Sequence, residues 1–247
     1  MQQHAFSIFR QTALTASVTR LDLAGDCSGI LPGQFVDTLI PPHFLRRPFS
    51  VADVDGDRLT VVFETVGAGT AQLKQLPEGT VLDVLTELGN GFDLSSASNR
   101  PLLIGGGTGA APLFLLARAL LKQSCSPVVL LGFRSSGDVF FLDEFRALGL
   151  EPVVATEDGS LGVSGFVTDA LPELFRSGCS SFYACGPLAM LRAVAACCEL
   201  PGQLSFSERL GCGFGACMGC TMKTAAGWKR ICKDGPVFRK EELLWDD

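Results

Sequence analysis

Two rhythms of apolar and polar positions divide the chain. From Ala13 to about Gly91, short alternating or apolar runs (LTASVTRLDL, GQFVDTLI, RLTVVFETV and TVLDVLTEL) are separated by turn signals such as Pro32-Gly33 and Asp55-Gly56-Asp57. Several short strands at that spacing predict a sandwich or a small barrel. The one helical signal in this half is brief, from Thr70 to Leu76.

Beyond the polar, small-residue stretch 94–100, which suits a linker, the period changes. Strand-like runs at Pro101–Ile104, Pro127–Gly132, Glu151–Ala155 and Ser181–Cys185 alternate with helical stretches at Ala111–Gln123, Leu142–Leu148, Gly165–Leu171 and Pro187–Cys198. Strands alternating with helices predict a parallel sheet covered on both faces. The last forty or so residues are rich in Gly and Cys and end in a helical tail at Lys240–Leu244. The pattern as a whole is α+β and multidomain.

Composition narrows this picture. The 247 residues are 47% hydrophobic and 19% charged, enough for substantial cores in two or three modest domains. A net charge of −6, with no basic stripe interleaved with aromatics, argues against a nucleic-acid partner. The start MQQHAFSIFR lacks an apolar run behind a basic end, and the most apolar stretch, Ala110–Leu121, is broken by Pro112 and Arg118. We therefore expect a cytoplasmic protein with no membrane partner. Ten cysteines need an explanation other than disulfides. Cys27, Cys125, Cys179, Cys185, Cys197 and Cys198 lie scattered among apolar neighbours, as small buried hydrophobes do.

The other four are clustered. Cys212, Cys217 and Cys220 follow C-x4-C-x2-C, and Cys232 comes after them, which is the plant-type ferredoxin spacing for a 2Fe-2S cluster. Iron in such a cluster is bound through soft thiolate sulfur. Gly213, Gly215 and Gly219 would let the loop turn tightly and aim backbone N–H groups at it. A structural four-cysteine zinc site is the competing reading, although zinc modules usually pair two C-x2-C units. A two-iron cluster passes single electrons, so a group that converts between one and two electrons, commonly flavin, is expected nearby.

Two further loops carry candidate chemistry. Arg46-Arg47-Pro48-Phe49-Ser50 opens a strand, and Gly67-Ala68-Gly69-Thr70 opens the short helix. Arginine offers a fork of donors to phosphate, Ser50 a hydroxyl, and a glycine-rich helix start its free N–H groups. Each alone is more often solvated surface or an ordinary turn; together, and beside the cysteine motif, they carry more. Gly105-Gly106-Gly107-Thr108-Gly109 lies between strand and helix, where phosphate can be received; it is neither G-x-G-x-x-G nor a Walker loop. Cys185-Gly186-Pro187 ends a later strand and would line the same crevice. Cys185 fits either a place near a nicotinamide ring or a buried thiol. The acidic stretch Thr156–Ser160 would disfavour an NADP 2′-phosphate if it lies near that ribose, and is otherwise a solvated turn.

In order, R-P-F-S, G-x-G-T, G-G-G-T-G-x-A-P-L, C-G-P and the cysteine motif resemble the ferredoxin–NADP reductase superfamily. Within it, Glu208-Arg209-Leu210-Gly211 leading into the cysteines and Cys232-Lys-Asp-Gly-Pro-Val-Phe238 closing them resemble the electron-transfer subunits of heteromeric, NAD-dependent dihydroorotate dehydrogenases. The resemblance runs from about Gly33 to Phe238. It implies an N-terminal antiparallel FAD-binding β-barrel at 1–97, a doubly wound NAD-binding α/β domain at 98–200 and a small 2Fe-2S domain at 201–247. Arg47, Pro48, Phe49 and Ser50, with Val62, Phe63 and Glu64 beside them, would hold the flavin, and Gly69 and Thr70 the FAD pyrophosphate. Gly106, Gly107, Thr108 and Gly109 with Cys185, Gly186 and Pro187 would face NAD. Glu64 departs from the neutral or basic side chain expected there. An FMN-containing catalytic subunit, two of each chain in a heterotetramer, would supply electrons in pyrimidine (UMP) biosynthesis. No side chain is an obvious base for the dihydroorotate step, so no catalytic residue is assigned.

Two alternatives remain at this stage. One is the small subunit of another flavin/iron–sulfur complex, of the ferredoxin:NADP oxidoreductase or sulfide dehydrogenase type. The other is a non-catalytic scaffold with a structural zinc site and a vestigial nucleotide fold.

Overall fold

The computed structural model describes residues 1–247 except Ser96, Glu208, Asp246 and Asp247. Ser96 of the linker and Glu208 of the run into the cysteines therefore lie outside the described residues.

The first half closes into a barrel. Its strands are β1 (Gln2–Ala13), β2 (Val18–Ala24), β3 (Phe35–Leu39), β4 (Arg47–Asp55), β5 (Arg58–Glu64) and β6 (Val81–Leu88), and α1 (Ala68–Gln75) bridges the last two. They run β1-β2-β5-β4-β3-β6 around the barrel, every pair antiparallel. Alternation sorts the side chains: Val36, Phe49, Val51, Val61 and Phe63 fill the interior, while Phe35, Val62 and Leu88 point outward into the two neighbouring cores. Strand β1 was not among the expected elements. Its Phe6 and Ile8 follow the two-residue period, at 0% and 1% exposure, but the neighbouring Phe9 is exposed at 47% and blurs the pattern.

The second half is a seven-stranded sheet. Its strands are β7 (Pro101–Gly106), β8 (Val128–Phe133), β9 (Val153–Thr156), β10 (Val163–Ser164), β11 (Ser181–Gly186) and β12 (Gly202–Phe206). Beyond a hairpin of β13 (Thr221–Thr224) and β14 (Gly227–Arg230), β15 (Val237–Arg239) completes the sheet. The order is β10-β9-β8-β7-β11-β12-β15, parallel except for β15, and it reverses direction between β7 and β11. Both faces are buried, which is why these strands read as continuous apolar runs. Leu102, Ile104, Phe182 and Ala184 enter one core with α4 (Val167–Arg176) and α5 (Leu188–Cys197). Leu103, Leu131, Tyr183 and Cys185 enter the other with α2 (Pro112–Lys122) and α3 (Leu142–Ala147).

Helix α2 is the layer between sheet and barrel. Leu113, Leu116, Ala117 and Leu120, at helical spacing, are buried, and each leucine contributes about 1.5–3 kcal/mol. Its far side sends Arg118 to the barrel, where the guanidinium pairs with Asp53 and donates to the Val54 carbonyl at 3.1 Å. On the opposite side of the molecule the core reaches from Phe35 and Leu88 of the barrel through Phe206 and Phe238 to Cys220, Ile231 and Cys232. The C-terminal segment thus shares its β12 and β15 with the central sheet.

The expected tail helix at Lys240–Leu244 is not formed. One 3-10 turn, Lys240–Glu242, stands there, because Leu243 is drawn into a bridge with Thr224 and packs into the core. Among the described residues no helix is long and apolar enough to cross a membrane.

Candidate functional site

The cysteine loop is held by its glycines and by α6 (Ile231–Asp234). Gly213 and Gly215 have φ of +76° and +89°, values that favour glycine. A β-carbon at Gly213 would lie 2.5 Å from Asp37 Oδ2, and one at Gly215 2.7 Å from the Lys233 side chain. The loop's N–H groups point at sulfur: Ala216 and Cys217 donate to Cys212 Sγ at 3.1 and 3.4 Å, Gly219 to Cys217 Sγ at 3.5 Å, and Cys232 to Cys220 Sγ at 3.4 Å. The thiols associate two and two, Cys212 with Cys217 and Cys220 with Cys232. That pairing suits two iron ions with two protein thiolates each, and the donors supply the positive dipoles a negatively charged cluster needs. Burial works against ionisation of Cys212, but the N–H groups of Cys217, Phe214 and Ala216 outweigh it and bring its pKa down to about 6. Cys232 is pushed up to about 12 by burial and by Cys220. Among the described residues no three Cys, His, Asp or Glu side chains gather around a single point, so the fit to a cluster rests on four soft thiols and the N–H groups aimed at their sulfurs.

Strand β4 lies next to β3 and carries the arginine motif. Pleating divides that motif: Arg47, Pro48 and Ser50 are partly exposed, while Phe49 turns inward and packs on Phe63 with ring centroids 5.6 Å apart. Phe49 and Phe63 therefore offer only backbone to the barrel's exterior, whereas Val62 faces out. The Arg47 guanidinium lies against Gly69, where a β-carbon would sit 2.6 Å from Nε. The two motifs thus form one cradle, an arginine beside a helix start, suited to a pyrophosphate. The Thr70 hydroxyl is committed to the helix itself: it accepts from the Val66 and Gly67 N–H groups and donates to the Gly67 carbonyl.

A cleft of about 620 Å³ opens where the sheet order reverses. Gly106, Gly107, Thr108, Gly109, Gly186 and Pro187 line it from the strand ends, and Ser17, Val18 and Glu64 line it from the barrel. Glu64, expected beside the flavin but with a charge at odds with that place, is where the barrel meets this cleft; Ser17 Oγ donates to it at 3.4 Å. Gly109 permits the close approach of loop and strand, since a β-carbon would lie 2.3 Å from the Cys185 carbonyl oxygen. Cys185 itself does not line the cleft. Its side chain is fully buried, and burial pushes its pKa up to about 11 against the Ser205 and Ser207 hydroxyls. Of the acidic stretch, Glu157 lines the cleft beside Arg134, while Asp158 turns away to accept from the Ser160 N–H and hydroxyl.

Sequence reasoning missed Asp37. It lies on β3 opposite Pro48, is 2% exposed, and has one carboxylate oxygen without a hydrogen-bond partner among the described residues. Burial pushes its pKa up to about 6, with Arg46 opposing and Cys212 adding to the rise. Nothing in the run GQFVDTLI marks it except a charge at a strand position.

Barrel, nucleotide sheet and cysteine loop define an oxidoreductase of the ferredoxin-reductase type with an iron–sulfur tail. Residues 207–244 match the family model of the iron–sulfur cluster binding domain of dihydroorotate dehydrogenase B, and residues 103–196 that of the oxidoreductase NAD-binding domain. The dihydroorotate dehydrogenase B (NAD(+)) electron transfer subunit of Bacillus caldolyticus is 43% identical over 86% of both chains, and that of Listeria monocytogenes serovar 1/2a 38% identical over 98% of this chain and 99% of that one. This chain belongs to that family. The solved NADH-dependent reduced ferredoxin-NADP oxidoreductase, described for flavin-based electron bifurcation, superposes with a TM-score of 0.88 at 30% identity over 97% of this chain and 90% of that one. The family match selects iron–sulfur over zinc for the cysteines, and the curated relatives select the dihydroorotate dehydrogenase type over the other small subunits.

Proposed function

We propose that this chain carries electrons from the FMN of a dihydroorotate dehydrogenase catalytic subunit to NAD, through a 2Fe-2S cluster and FAD, in pyrimidine biosynthesis. One observation supports the reading: three adjacent barrel strands carry three candidate positions in sequence. β3 touches the cysteine loop through Asp37 and Gly213, β4 bears Arg47 beside Gly69, and β5 ends at Glu64 in the nucleotide cleft. The cluster supplies single-electron transfer and FAD the exchange between one and two electrons.

The chain's own residues bind and orient these groups. Cys212, Cys217, Cys220 and Cys232 ligate iron. Arg47, Gly69 and the α1 start take the FAD pyrophosphate; Pro48, Ser50, Val62 and Glu64 lie along the flavin, with Phe49, Phe63 and Thr70 shaping the walls from within. Gly106–Gly109, Gly186 and Pro187 take NAD, and Cys185 supports that wall from behind. The Glu157 carboxylate disfavours a 2′-phosphate and so favours NAD over NADP. In this reading 1–97 is the FAD domain, 98–200 the NAD domain and 201–247 the cluster domain, within a cytoplasmic heterotetramer of two copies of each subunit.

The test is co-purification under anaerobic conditions with a tagged FMN-containing catalytic subunit, followed by flavin, iron and sulfide analysis and an assay of NAD reduction driven by dihydroorotate. A complex holding all three groups that shows no such activity overturns the proposal.

A further inference from the structure

A charged group in an apolar interior, unpaired, is costly enough that it needs a reason. Asp37 is such a group. Its strand, β3, has Val36 pointing into the barrel and Phe35 pointing out into the core shared with Cys220, Ile231 and Cys232, so Asp37, two residues from Phe35, faces the same way. It meets the cysteine loop at Gly213, where its Oδ2 occupies the space that any side chain would need. The other oxygen, Oδ1, is buried with no hydrogen-bond partner among the described residues.

Its surroundings are asymmetric. Towards β4 lie two cations, Arg46 and Arg47; Arg46 donates to the Asp37 main-chain carbonyl at 3.2 Å and to the Asp83 carbonyl and carboxylate at 2.9 and 2.8 Å. Arg46 is thus shared with Asp83 and bonds the Asp37 backbone, not its carboxylate. Towards the loop, the charge next met is the first cluster cysteine, Cys212. A carboxylate here is neutralised in part on the flavin side, and on the cluster side it acts on Cys212 directly.

We propose that Asp37 is a positioning residue for electron transfer, a fixed negative charge that lowers the reduction potential of the cluster relative to that of FAD. This rests on the cluster and FAD assignments above. A negative charge opposes addition of an electron to the nearer centre more strongly than to the farther, shielded one. The reduced cluster is thereby made a better donor to FAD, in the direction dihydroorotate oxidation requires.

The test uses the full-length chain loaded with FAD and cluster, at pH 8, and compares wild type with Asp37→Asn. Cluster potential is followed by EPR-monitored redox titration and FAD potential by absorbance. The expected result is an upward shift of the cluster potential larger than that of FAD, with iron content and EPR line shape retained. Asp37→Glu, which keeps the charge, should restore most of the difference if the loop accommodates it. An unchanged cluster potential, or equal shifts of both centres, overturns the proposal. If Asp37→Asn fails to load the cluster, Asp37→Ser, which leaves room for a water, carries the same measurement. Loss of cluster from both, with FAD kept, shows a strut for the loop and also overturns it. A wild-type chain that binds no cluster or no FAD instead refutes the assignments beneath it.

Discussion

At Gly109 the nucleotide loop passes so close to the Cys185 carbonyl that no β-carbon fits. Gly109→Ser should therefore destabilise the sheet by about 1–3 kcal/mol as the loop is pushed off β11, read as a lower melting temperature and weaker NADH binding. Cys185 behind it is buried and keeps its proton at pH 8. Iodoacetamide should leave it unmodified in the folded chain, whereas a pocket-facing thiol would react; mass spectrometry of the peptide decides. Glu157 lies at the cleft surface, so Glu157→Gln should raise the kcat/KM for NADPH relative to NADH several-fold, with little change in stability. Spacing alone marked the cysteine-bearing iron–sulfur region and the glycine-rich start of the NAD-binding region, both of which the family models match. Asp37 and the inward turn of Phe49 were not legible from sequence, because which side of a strand a residue takes depends on the register the barrel adopts.

Among elements, α2 does two jobs. Its apolar face completes the sheet, and Arg118 on its other side fastens the barrel through Asp53 and Val54. Arg118→Met would leave Asp53 half-buried and unpaired, at a cost of about 1–2 kcal/mol. At roughly 2–4 °C per kcal/mol for a chain of this size, calorimetry should show the loss. The helix was predicted almost residue for residue from its apolar spacing, and the central strands from their continuous hydrophobicity. β12, β15 and the β13–β14 hairpin were not predicted, since their Gly- and Cys-rich setting masks a two-residue period and their partners are distant in sequence. The cysteine loop they support can be emptied separately: Cys217→Ser should abolish the 2Fe-2S spectrum yet keep FAD and NADH-dependent dye reduction. Loss of dye reduction with FAD still bound would put the cluster between NAD and FAD, contrary to the proposed order.

For the whole molecule, the proposed order of sites across β3, β4 and β5 describes a conduit that relies on a partner to oxidise dihydroorotate. Alone it should reduce artificial acceptors with NADH and leave dihydroorotate untouched; oxidation of dihydroorotate by the purified single chain would contradict that. The connection from β12 to β15 has a consequence for how such molecules can be rebuilt. Those two strands are antiparallel neighbours, with Ser205 beside Val237, so residues 207–236, cysteines included, form the enlarged tip of a β-hairpin. The tip can be replaced by a two-residue Asn-Gly turn without re-threading the sheet, because its two ends already meet and closure of a shorter loop is entropically cheaper. Phe35 and Leu88, uncovered by the excision, would need polar replacements. What remains should fold as a minimal NADH–flavin reductase, to which a different redox module could be attached at the same junction.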